Sequence, residues 1–135
     1  MTESTNTHRT LRSIAAVVLG LLVTVALSTA TDMALYASGI FPAPGMPMSN
    51  ALFALATAYR VLFAAAGGYV TAWLAPREPL KHALILGGIG FVLALAGVVA
   101  TWGKAEYGPA WYPITLVLTA LPATWAGARL CRVRA

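Results

Sequence analysis

Residues 13–31, SIAAVVLGLLVTVALSTAT, carry no charge and no proline, and the next residue is Asp32. At about 1.5 Å per residue, a helix of this stretch covers roughly 28 Å, close to the thickness of a bilayer's hydrocarbon core. The apolar sequence continues to Ser38, so the first expected span is 14–38, opened by Arg9 and Arg12. The connection from Gly39 to Met48 holds Pro42, Pro44 and Pro47, which no helix crosses intact. Beyond it, Ser49 or Asn50 can cap a second span over 50–75. Pro76 and Pro79 mark a short basic turn before a third span over 80–101. A second loop, Gly103 to Pro109, leads to a fourth span over 110–130 that contains Pro122. Flanking these lie expected tails at 1–12 and 132–135, with the membrane domain at 13–131.

Composition agrees with that pattern. Hydrophobic residues make up 59% of the chain and charged residues 10%, against about 45–50% and 25% in an ordinary soluble domain. The fold class expected is all-α, a four-transmembrane-helix bundle in the bilayer. A β-barrel is excluded because its lipid-facing strands alternate, whereas these apolar runs are continuous. The net charge of +5 is no sign of nucleic-acid binding, since the basic residues sit in small groups at span ends and form no stripe.

The same groups predict orientation. Arg9, Arg12, Arg77, Lys81, Arg129, Arg132 and Arg134 fall on one side, and Lys104 alone falls on the other. Both termini are therefore expected in the cytoplasm, as for a multi-pass protein of a bacterial inner (plasma) membrane. The Ala/Gly-rich, arginine-favouring composition points the same way. Arg9 and Arg12 followed by residues 14–27 and Ser28-Thr29-Ala30 also match a cleaved signal peptide. Apolar sequence running on through Met33 to Ile40 favours a retained span instead.

Two charges lie well inside the spans, Asp32 and Arg60. A charged side chain at such a depth costs about 2.5–3.5 kcal/mol unless something compensates it. Asp32 stands about 28 Å along the first helix and Arg60 about 22 Å along the antiparallel second one, a helical turn apart. The two are expected to pair, with Tyr36, Tyr59 and Asn50 as possible polar neighbours. Small residues define the helix contacts, because lipid removes any gain from hiding larger apolar side chains. Ala16, Gly20, Thr24 and Ser28 lead to Asp32 at i+4 spacing, and Ala56, Ala64, Gly68 and Ala72 frame Arg60 in the same way. Ala83, Gly87, Gly90, Ala94, Gly97 and Thr101 form a heptad seam on the third span. Its partner is the second span, the fourth, or the same seam in another copy.

No catalytic, metal or cofactor constellation is legible. Cys131 is the single cysteine, His8 and His82 lie apart, and Glu78 and Glu106 are on opposite sides. The charge pair reads first as a packing device, since nothing else polar converges on it. Otherwise it is an opening to the outer face where Asp32 takes a proton or cation and Arg60 a small anion.

The passage Tyr59-Arg60, Gly67-Gly68-Tyr69-Val70-Thr71-Ala72, Leu74-Ala75-Pro76, Pro79 and His82-Ala83, with Trp111-Tyr112-Pro113 later, resembles small uncharacterised bacterial four-helix integral membrane proteins. That resemblance implies the fold and no activity. Small multidrug transporters, also four-helix proteins, differ in carrying a mid-depth glutamate in the first helix. The expected role is a non-enzymatic structural or accessory membrane subunit with the lipid bilayer as its medium. A homo-oligomer or a membrane-protein partner is compatible with it. The alternative is a small oligomeric transporter or channel using Asp32 and Arg60.

Overall fold

The computed structural model describes residues 2–43, 48–103, 109 and 111–134, with side chains from Thr7 to Cys131. Every element among them is an α-helix: α1 (Thr2–Ala37), α2 (Asn50–Leu74), α3 (Pro79–Thr101) and α4 (Trp111–Arg134). All four are long and apolar enough to cross a membrane.

The inner boundaries follow local chemistry. Ser49 is the N-cap of α2, its hydroxyl accepting from the Leu52 N–H at 3.3 Å. Pro79 opens α3 at its first turn, where a missing N–H costs nothing. Glu78 before it takes a left-handed conformation, φ 49°, to make the corner. At the outer ends the helices extend beyond the expected spans. α1 already begins at Thr2, within the expected tail, and α4 runs past residue 130 to Arg134. Neither extension contains glycine or proline, so nothing in the chain stops the helix where the apolar run stops.

α1 packs on α2 antiparallel, and α3 packs on α4 antiparallel. The most extensive contact joins α2 and α4, which run in the same direction. Two glycines let those backbones touch. A Cβ at Gly68 would lie 2.7 Å from the Thr124 Cα, and one at Gly127 would meet the Ala65 carbonyl and lie 2.9 Å from the Tyr69 nitrogen.

Near the chain termini, this contact and α3 enclose Ala72, Ala83, Ala128 and Cys131. At the other end, Phe41 folds back from the α1–α2 connection to cover Ala56 and Tyr59. Edge-on contact between Tyr36 and Phe41, at 5.3 Å, holds that connection against α1.

The small-residue seams need two corrections. On α1 the expected stripe does face α2, but its counterpart on α2 is one residue away from the expected row. Gly67 and Thr71 meet α1, whereas Gly68 faces α4 and Ala72 packs among α3 and α4. Within this chain the α3 seam makes close contact only near the termini. A Cβ at Gly87 would lie 2.9 Å from Leu121, one at Gly90 would lie 3.7 Å from Ala120, and one at Gly97 would meet nothing within 4 Å. Along its length α3 therefore leaves its partner, and Gly97 is not a packing residue within this chain.

Candidate functional site

The register of α1 on α2 is held by threonines that donate across the interface. Thr71, fully buried, donates to the Ala16 carbonyl at 2.9 Å. The Thr24 hydroxyl is shared between the carbonyls of Gly20, at 3.0 Å, and Phe63, at 3.2 Å. Between these two bonds the backbones close in, since a Cβ at Gly20 would sit 2.7 Å from the Gly67 carbonyl oxygen. A Thr hydroxyl reaching a neighbouring carbonyl is the kind of polar tie that fixes helix pairs where water is absent.

With that register set, Asp32 arrives opposite Tyr59 and Arg60. Consecutive residues on a helix point about 100° apart, so the two side chains straddle the carboxylate instead of competing for one oxygen. The Tyr59 hydroxyl donates to Asp32 Oδ1, and Arg60 Nη2 donates to Oδ2. The side chains of Arg60 and Asp32 are 31% and 26% exposed, so much of each charge is removed from its surroundings. The Arg60 guanidinium also lies 5.8 Å from the centre of the Tyr59 ring. From α4, Tyr112 brings its phenol into electrostatic reach of Arg60. Tyr112 is itself packed against Phe53, ring centres 5.1 Å apart.

The other expected neighbours go elsewhere. The Asn50 side-chain oxygen accepts from Trp111 Nε1 at 3.3 Å, tying the first turns of α2 and α4 together. Tyr36 is exposed and makes its ring contact with Phe41. In the sequence, Tyr112 stands only as part of Trp111-Tyr112-Pro113, with nothing that ties it to Arg60. Its place beside Arg60 follows from the parallel α2–α4 contact, which lies outside what span order implies.

One group in the cluster is unspent. Arg60 Nε is buried and has no hydrogen-bond partner. Beside Arg60 is a cavity of about 310 Å³, where all four helices contribute walls. Chemically the cluster is a neutral unit, one carboxylate offset by one guanidinium. It holds no free base, and both Asp32 oxygens already accept hydrogen bonds.

Compared with known protein families, characterised proteins and solved structures, the chain shows no match.

Proposed function

We propose that this protein is a non-enzymatic integral membrane subunit, structural or accessory, in which Asp32, Tyr59 and Arg60 lock α1 onto α2. The carrying observation is that both carboxylate oxygens of Asp32 are engaged inside the chain, by Tyr59 and by Arg60. A carboxylate used in this way is poorly placed to take up a proton or cation from outside. A desolvated ion pair typically adds little net stability, yet removing one member is costly, so it specifies which helices dock. The uneven distribution of Lys and Arg supports placing both termini in the cytoplasm of a bacterial cell. α1 touches chiefly α2, and its remaining apolar surface suits lipid, a second copy or a partner subunit.

The experiment uses purified protein in liposomes. Wild-type protein is expected to give no proton or small-cation flux above empty liposomes, while Asp32→Asn unfolds at lower denaturant. A flux lost in Asp32→Asn with stability unchanged would replace this reading by the second one. That second reading is the small oligomeric transporter or channel, and the cavity beside Arg60 is the observation in its favour.

A further inference from the structure

Ser28 is 5% exposed and stands in the wall of the cavity that all four helices bound. Its hydroxyl has no hydrogen-bond partner among the described residues, and its oxygen is not sealed in as Arg60 Nε is. The uncovered part of that oxygen therefore faces the cavity. Two more hydroxyls line the same space with their protons already committed. Thr24 donates to the Gly20 and Phe63 carbonyls, and Thr119 donates to the Thr115 carbonyl at 2.8 Å. Each can offer an occupant only its lone pairs. Arg60 is on the same wall, with 31% of its side chain exposed.

These groups narrow the occupant. A lipid chain fits the aliphatic part of the wall, Val25, Leu93 and Leu116 among it, but leaves the Ser28 hydroxyl desolvated and unpaired. A molecule with acceptors alone finds no proton at Thr24 or Thr119, and one with donors alone cannot serve Arg60. Water does both. The polar groups are also dispersed over α1, α2 and α4, which suits several small molecules better than one rigid ligand. A water takes about 30 Å³ in the liquid, so a space of about 310 Å³ has room for several. Charged residues inside spans ordinarily face a partner or a water-filled cavity, and Arg60 then has both.

The shorter way in lies at the end of the bundle where α1 joins α2. Leu116 is five residues into α4 and Ala94 seven before the end of α3, roughly 8 and 11 Å from those helix ends. Above Ala94, a Cβ at Gly97 would meet nothing within 4 Å, so no other helix caps the α3 wall there.

We propose that this cavity is a water-filled crevice, open at that end, whose water is bound by Ser28, Thr24 and Thr119 and reaches the Arg60 side chain. The docking role of the ion pair does not require it.

The probe is a methanethiosulfonate reagent with a permanent positive charge, applied to the purified protein in nanodiscs in a Cys131→Ala background. It attacks the thiolate, which forms in water and not in hydrocarbon. Ser28→Cys is expected to react about a hundredfold faster than Ala26→Cys, an exposed position about 200° around α1 and outside the cavity wall. Ala94→Leu narrows the cavity from α3 and is expected to slow the Ser28→Cys reaction about tenfold. Thr29→Cys, on the same wall, gives the same readout if Ser28→Cys does not assemble. A folded Ser28→Cys that reacts no faster than Ala26→Cys, one that reacts only with uncharged N-ethylmaleimide, or a rate unchanged by a folded Ala94→Leu would each overturn the proposal.

Discussion

Asp32 is satisfied by two donors from adjacent positions of one helix, and that arrangement gives Tyr59 a value separate from its ring. Tyr59→Phe keeps the aromatic packing against Phe63, whose centre is 5.9 Å away, and deletes the hydroxyl that donates to the carboxylate. Hydrogen bonds to charged groups contribute about 1.5–3 kcal/mol. Tyr59→Phe is therefore expected to lower the unfolding free energy by about that amount, measured by denaturant titration in mixed micelles. A loss no larger than a few tenths would mean that Arg60 alone satisfies Asp32. The acid and the base are legible in sequence because charges are conspicuous in apolar runs and their heights can be counted. The choice among Tyr36, Tyr59 and Asn50 is not, because it depends on side-chain direction. Asn50 lies at the first turn of α2, beside Trp111, too near the bundle's end to reach the pair.

Among the elements, the helix count and the inner boundaries follow from apolar length, prolines and a serine cap. The pairing does not. Chain order favours α2 against α3, but the closest backbone approach is α2 against α4, through Gly68 and Gly127. Gly127 belongs to the i+4 series Ala123, Gly127 and Cys131, which runs beside a second one, Ala120, Thr124 and Ala128. Two adjoining rows do not say which helix each one meets. A methyl group at Gly127 would run into the Ala65 carbonyl and lie 2.8 Å from its carbon, and backbone cannot step aside as a side chain can. Gly127→Ala is expected to destabilise the bundle by about 1–3 kcal/mol through overpacking. Gly97→Ala meets open space and is expected to be neutral within about 0.5 kcal/mol. Parallel unfolding titrations of the two variants check this, and equal effects would contradict the α3 path described here.

At the scale of the whole molecule, the four-helix bundle is held by two unlike ends. Near the termini, small residues let three helices meet tightly, and Cys131 is buried among them. Toward the α1–α2 connection, a charge cluster and aromatic rings take the place of small residues. The lengthening of α1 and α4 beyond the apolar runs escaped the sequence because hydropathy marks where a span can lie, not where a helix must stop. The proposed orientation can be checked with a thiol reagent that does not cross membranes. In a Cys131→Ala background, Ala43→Cys is expected to react from outside intact cells, whereas a cysteine replacing Arg77 is expected to react only after permeabilisation. The reverse pattern would invert the topology.

The claim on which the rest turns is that Asp32 and Arg60 act as one unit docking α1 on α2. A double-mutant cycle of Asp32→Ala, Arg60→Ala and the pair of changes together, followed by equilibrium unfolding in mixed micelles, measures it directly. Each single change leaves one charge without its partner and is expected to cost about 2.5–3.5 kcal/mol. The double change is expected to cost clearly less than the sum of the two. Additive losses would mean that the two side chains do not depend on each other, and would contradict the account.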